Sequence, residues 1–400
     1  MMQPVTTPRA VLPRGRIDAG YVCHRPSTSA PLIDRIRLMI ISMRSKSDAG
    51  TTERPLVVFI TYTGIGDLLM ALPLLGSLRS SFRVLPVIPL SYGELAQLLL
   101  QDDLLDDYLL TDEDMVFSRH PLGHLRICRA LSRLRPDTMI IYGKSVMAYS
   151  ARLGLVRAAR VLYCHPDGRA SRTTRGVEML PSTGNQTQDY LQFAGRLGLP
   201  FTAPRVTLTD GLRGRLADAS RVQIPWPSYV LVAPWSSDPS RDAPPTFFRN
   251  CTEIIIREGG LPVVIAGLAS HRRTAGELLS GLPRERIMNL VGATSLRQLL
   301  EVLAGARFLL ANDSGNLHMA RLVGTPAVGV FGPTAPEQRF YNLSGELMTI
   351  RHLLPCSPCA HTPWHLKCPG TYLQCLRELE ASDAREMLLT ACRMTMEQVS

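Results

Sequence analysis

Residues 57–79 read VVFITYTGIGDLLMALPLLGSLR, and that order decides the expected architecture. A run rich in β-branched residues (56–63) reads as a buried strand. The turn Thr63-Gly64-Ile65-Gly66-Asp67 follows, and then an amphipathic helix to about Ser81. Farther on, RVLPVIPL (83–90), TMIIYG (138–143) and ARVLYC (159–164) read as strands with helical segments between them. Strands spaced by helices imply βαβ units and a parallel sheet. A second unit of the same kind starts after PWPS (225–228), with strands expected at 229–235, 262–267, 306–313 and 326–334. Its helices are expected at 245–258, 270–281, 295–305 and 315–323.

The units this implies are an N-terminal extension (1–54), a first Rossmann-like domain (55–210), a second (226–345) and a tail (346–400) with a four-cysteine cluster that packs back on the fold. The extension is rich in Pro, Ser, Thr and Arg and lacks a hydrophobic period; it is expected to be disordered, with Met43 an alternative start. A short surface helix is read across 31–43. No early apolar stretch resembles a signal peptide. The apolar runs LLMALPLL (68–75) and IRLMIISM (36–43) fall short of the ~18 residues of a membrane span. Of 400 residues, 45% are hydrophobic and 20% charged, which fits a globular chain.

Forty-four basic against 34 acidic residues give +10, and residues 1–54 supply half of it: nine basic, four acidic. Such a balance suits phosphates or an anionic lipid surface. Nine cysteines in 400 residues are too sparse for a secreted disulfide scaffold, so a reducing cytoplasm is expected.

Ligands in open α/β sheets bind at the carboxyl ends of strands, which directs attention to the strand-to-helix turns. Gly64 and Gly66 allow a tight turn and a close backbone approach. Position 69 is Leu, so the turn is not a dinucleotide fingerprint. Asp67 suits either a helix N-cap or a general base on the cleft floor; local sequence alone favours the cap. In the second unit a strand ends in Asn312-Asp313. Ser314-Gly315-Asn316 then opens a helix that carries His318. Helix N-terminal amides and a small hydroxyl suit a diphosphate. Asp313 could equally be a cap, and His318 a packing residue. The next strand ends in Gly332-Pro333-Thr334, a second turn on the same side. Arg241, in the loop after the unit's first strand, could grip a diphosphate bidentately or stay solvated. In the tail, Cys356, Cys359, Cys368 and Cys375 form C-x2-C-x8-C-x6-C. Four clustered thiols fit a structural tetrahedral site for zinc or iron, or four free thiols; His361 and His365 could substitute as ligands.

Three stretches together resemble glycosyltransferase family 9, the bacterial ADP-heptose heptosyltransferases: 57–79, NLVGATSLRQLLEVLAGARFLLANDSGNLHMARLVGTPAVGVFGPTAPE (289–337), and CSPC through CLREL (356–379). With TQDYLQFAGRLGLP (187–200), the similarity covers about 55–390. The resemblance implies a GT-B fold, two facing Rossmann-like domains, and an inverting, metal-independent transfer of heptose to a lipopolysaccharide inner-core acceptor. It places the catalytic aspartate on Asp67, the donor loop on Asp313, Ser314 and Gly315, and the helix histidine on His318. The family's diphosphate-steadying lysine falls on Arg241, and the tryptophan nearby becomes Ala243. The family's N-P-G-A reads Ala233-Pro234-Trp235-Ser236. The resemblance further implies a nucleotide-sugar donor, a lipid-linked saccharide acceptor, no catalytic cofactor, no nucleic acid, and peripheral contact with the inner face of the inner membrane. Acceptor contacts are expected around Gly93, Lys144 and Arg169–Arg175. A protein or small-molecule acceptor, and a nucleotide-sugar epimerase on the same fold, are the competing readings.

Overall fold

The computed structural model describes residues 54–61, 64–112, 121–143, 146–165, 177–200, 206–218, 222–340, 347–360, 368 and 373–394. The extension 1–53 with its 31–43 helix and Met43, together with Thr63, Lys144, Arg169–Arg175, His361 and His365, lies outside them.

The first half contains β1 (Leu56–Ile60), α1 (Ile65–Leu78), β2 (Arg83–Pro89), α2 (Gly93–Gln101), β3 (Leu109–Thr111), α3 (Pro121–Arg133), β4 (Thr138–Tyr142), α4 (Val146–Arg152), β5 (Arg160–Cys164), β6 (Val177–Leu180) and α5 (Gln186–Arg196). The second contains α6 (Asp210–Asp218), β7 (Val230–Ala233), α7 (Pro245–Arg257), β8 (Val263–Ile265), α8 (Arg272–Leu279), β9 (Ile287–Asn289), α9 (Leu296–Gly305), β10 (Phe308–Asn312), α10 (Gly315–Leu322), β11 (Ala327–Phe331), β12 (Leu347–Arg351), α11 (Gln374–Arg377) and α12 (Ala381–Arg393).

Each half holds a six-stranded parallel sheet, in the orders β3-β2-β1-β4-β5-β6 and β12-β11-β10-β7-β8-β9. Counted within each half, both follow the 3-2-1-4-5-6 order of a dinucleotide-binding sheet, whose ligand crevice opens where the order reverses. That point lies between β1 and β4 in one half and between β7 and β10 in the other. The turns after β1, β7 and β10 therefore carry the site.

Helix α1 explains the run LLMALPLL. It is buried almost all round from Leu68 to Leu78, as expected of a helix apolar on every face. On one side it lies against its own sheet and α5; on the other it packs against α10 of the second half. One apolar core accordingly runs from Val57, Phe59 and Leu72 across to Leu231, Leu309 and Leu317. A separate core under α3 and α4 covers the opposite face of the first sheet.

The stretch read as a tail is built into the second half. β12 pairs in parallel with β11 and completes the sheet, and α12 packs on α7. No helix among the described residues is long and apolar enough to cross a membrane.

Candidate active site

The N-terminus of α1 meets the N-terminus of α10. A Cβ at Gly66 would stand 3.0 Å from His318 Cδ2 and 3.6 Å from Gly315 Cα; one at Gly315 would stand 2.2 Å from Ile65 Cγ2. Only residues without a side chain permit this approach. The two turns expected to carry chemistry thus face a single crevice.

Asp67 is not the cap that local sequence favoured. Gly64 occupies the N-cap position with no side-chain cap bond, and Asp67 stands in the first turn. Its carboxylate folds back over Gly64, where a Cβ would lie 2.5 Å from Oδ2. The side chain is held from outside the helix: Gln186 Nε2 donates to Asp67 Oδ1 at 3.0 Å and to the Tyr190 hydroxyl at 2.9 Å. Tyr190 in turn lies 3.1 Å from Thr61 Oγ1. Arg339, from the second half, donates through Nη1 to Gln186 Oε1 at 2.7 Å. Burial pushes the Asp67 carboxyl above its ordinary range. The Gln186 bond, then the positive charges of Arg339 and Arg241, pull it part of the way back. Arg241 and Asp67, from different halves, are therefore within each other's electrostatic reach.

Across the crevice, the loop after β7 is pinned to the end of β10. Asn312 donates to Pro234 O at 2.7 Å and accepts from the Ala243 amide at 3.1 Å. Asp242 accepts from the Ser236 amide at 2.8 Å. This presents Arg241, whose Nη1 lies 3.6 Å from Asp313 Oδ2, and whose Nη2 donates to Ser237 Oγ at 3.3 Å. Arg241 Nε and Asp313 Oδ2 are buried with no hydrogen-bond partner, as is Thr334 Oγ1. Buried polar atoms are rarely left unmet, and the facing atoms of Arg241 and Asp313 mark a place for a polar ligand. Ser314, rather than Asp313, caps α10, accepting from the Asn316 amide, so Asp313 is free of the cap role.

His318 is buried and stacked on Phe340, ring centroids 4.5 Å apart. Burial lowers its pKa to about 3, against the opposing pull of Asp313; it is a neutral ring between the halves. Gly332 faces the tail: a Cβ there would meet the Leu376 side chain at 2.5 Å. The Pro333 carbonyl accepts from the amides of Cys359 and Ala360 at 2.8 and 2.7 Å.

Cys356, Cys359, Cys368 and Cys375 line one small cavity with Pro333 and Leu373. The Leu373 amide donates to Cys368 Sγ at 3.4 Å, and burial raises the Cys375 thiol to about 11. Among the described residues, no three His, Cys, Asp or Glu side chains form a ready metal cradle. The thiols match a metal site in kind and in convergence, but not yet in spacing.

Gln186, Tyr190 and Arg339 were not singled out from sequence. Trp235, in the stretch that replaces N-P-G-A, stacks on His271 at 4.8 Å beside the β7 loop.

Two parallel Rossmann-like sheets, with an acid from one and a cation and helix terminus from the other meeting in one crevice, define a GT-B architecture. Residues 181–368 match the family model described as glycosyltransferase family 9 (heptosyltransferase). That match covers just under half of the chain. It is 25% identical over 189 residues to lipopolysaccharide heptosyltransferase 2 of Salmonella typhimurium, covering 46% of this chain and 52% of the relative. It is 30% identical over 165 residues to lipopolysaccharide heptosyltransferase 1 of Pseudomonas aeruginosa, covering 40% and 43%. The chain thus spans about half the length of the curated relatives it matches. Among solved structures, the ADP-heptose lipopolysaccharide heptosyltransferase II of E. coli aligns with a TM-score of 0.62 at 18% identity, covering 84% of this chain and 98% of that one. A family 9 glycosyltransferase of Veillonella parvula aligns with a TM-score of 0.65 at 16% identity, covering 85% and 98%.

Proposed function

We propose that the chain is an inverting glycosyltransferase that moves heptose from ADP-heptose to a hydroxyl of a lipid-linked saccharide, the lipopolysaccharide inner core, at the cytoplasmic side of a membrane. The observation that carries this reading is the meeting of Asp67 with Arg241, Asp313 and the α10 terminus across the Gly66–Gly315 contact. Asp67 takes the proton as the acceptor oxygen bonds to the anomeric carbon. The bond from that carbon to the diphosphate breaks on the opposite side, and the electron pair leaves with ADP. Arg241, the Ser314 hydroxyl and the free amides of α10 hold the diphosphate, with Asp313 and Thr334 completing the donor side. On the acceptor side, Gly64 and Gly66 let the Asp67 carboxylate and His318 close over the turn. Preorganised charge of this kind is the largest contributor to many enzymatic accelerations. Arg241 and a helix terminus can carry the leaving charge without a divalent ion, and neither cleft turn contains the Asp-x-Asp of a metal clamp; catalysis is proposed to be metal-independent.

The four tail cysteines are proposed to hold a structural zinc or iron, with a small inward shift of the loop. Metal analysis of the purified chain tests this directly, and less than a tenth of an equivalent would overturn it.

For the main reading, the purified chain is incubated with ADP-, GDP- and UDP-sugars, with and without heptose-deficient lipopolysaccharide, and products are read by mass spectrometry. ADP-heptose consumed only with acceptor, and not by Asp67→Asn, is expected. Donor conversion without acceptor would instead indicate an epimerase and overturn the reading.

A further inference from the structure

On the outer face of the first sheet, α3 buries His124, Ile127, Cys128 and Leu131 against Met147, Ala148 and Val156. His124 Nε2 meets Ser150 Oγ at 2.6 Å. A surface helix packed this way ordinarily turns a polar face outward. Here the outward faces are apolar and basic. Leu122 is 67% exposed and Leu125 37%; beside them Tyr149 is 60%, Leu153 59% and Leu155 41% exposed. Eight large hydrophobic residues are exposed among the described residues, and five of them fall in this one stretch. The clustering separates it from scattered exposure, which is normal.

Arg126, Arg129 and Arg133 lie exposed on the same stripe of α3, with Arg135 and Arg157 exposed at its base. Ser132 Oγ accepts from the Arg157 amide at 3.0 Å, tying the 153–157 loop to the helix. Residues 121–160 contain seven Arg and one Lys, against one carboxylate. That carboxylate, Asp137, accepts from the Leu56 amide at 2.7 Å.

We propose that the α3–α4 face is the docking surface for an anionic lipid bilayer. The leucines and Tyr149 would enter the headgroup boundary while the guanidiniums meet lipid phosphates. Charge complementarity selects this occupant over a second copy of the chain, because a two-fold contact would set the same arginines against each other. Both helices run antiparallel to the strands they join. Leu122 and Leu125 therefore stand at the end of the sheet where the crevice opens, and Leu153 and Leu155 at the other, so the patch runs the length of the face. The proposal does not depend on glycosyl transfer, since vesicle binding is read without turnover.

The full chain is co-sedimented with vesicles of phosphatidylcholine alone, or of phosphatidylcholine mixed with phosphatidylglycerol, at low and high salt. Binding to the mixed vesicles only, weakened by salt, is expected. Each arginine near an anionic surface contributes about fivefold to partitioning. The triple change Arg126→Gln, Arg129→Gln, Arg133→Gln is therefore expected to lower binding by up to about a hundredfold. Leu122→Ser with Leu125→Ser also weakens it. Arg273→Gln with Arg284→Gln, exposed in the second half, leaves it unchanged. Melting temperatures close to that of the unaltered chain confirm folding. Equal binding to both vesicle types, binding by both α3 variants like the unaltered chain, or concentration-dependent self-association that the α3 variants abolish would overturn the proposal.

Discussion

Gly315→Ala puts the meeting of the two halves under a direct test. The added Cβ would stand 2.2 Å from Ile65 Cγ2 and 3.7 Å from Ile65 Cβ. Carbon atoms settle at about 3.5–4.0 Å, so roughly 1.5 Å must be found. Ile65 opens α1 and its branched side chain is stiff at χ1, so the strain falls on the contact between α1 and α10. Overpacking of this kind costs about 1–3 kcal/mol, which depletes the closed arrangement by about 5- to 150-fold. Local propensity works the other way, since Ala is better than Gly in a helix by up to about 1 kcal/mol. Gly315 is not among the positive-φ glycines, so Ala suffers no backbone strain there. The expectation is a melting temperature near that of the unaltered chain and a kcat/KM for acceptor-dependent ADP release lowered by tenfold or more. Ile65→Ala in the same chain removes the clashing atom and should restore most of the rate. Full activity in the single variant would refute the reasoning. So would a loss that Ile65→Ala leaves untouched, because the fault would then lie in the donor loop alone.

Other expectations follow from the site. Because burial raises the Asp67 carboxyl, the protonated, inactive form persists above the ordinary carboxylate range. The acid limb of kcat/KM should sit there too, and Arg339→Met should move it to still higher pH; a limb unmoved in that variant would count against Asp67 as base. Arg241→Ala should lower kcat by about 10²–10³, with Arg241→Lys recovering part; unchanged kcat with altered KM alone would argue for simple donor binding. His318, with its pKa lowered to about 3, is neutral in the folded chain, while the unfolded chain protonates it below about 6.5. Stability should therefore fall as pH drops through that window, and His318→Leu should flatten the dependence of the melting temperature between pH about 7 and 5.

The interior strands were legible and the edge strands were not, for one physical reason. β1, β4, β7, β10 and β11 are covered on both faces, so their sequences are continuous apolar runs. β3, β6, β9 and β12 are the four sheet edges. They run to five residues at most, and β9 (Ile287–Asn289) and β12 (Leu347–Arg351) are largely half-exposed, which leaves little pattern to read. The site divides in a similar way. Asp67, Arg241 and Asp313–Gly315 follow strands at the points where sheet order reverses, so position alone marked them. Gln186 and Arg339 reach Asp67 from 119 residues along the chain, and then from a further 153; no local spacing encodes such a relay. Asp67 itself looked like a cap because a carboxylate at a helix start usually is one, and only the fold shows that Gly64 already fills that place.

The buried α1 also bears on how the molecule comes apart. Its side chains belong at once to the interior of both sheets' territory, so neither half owns a complete hydrophobic interior without the other. Substrate exchange must proceed by a swivel that keeps this rod wrapped. Heat or denaturant should melt the pair in one cooperative transition, because the first half to let go exposes the shared rod and takes its neighbour with it.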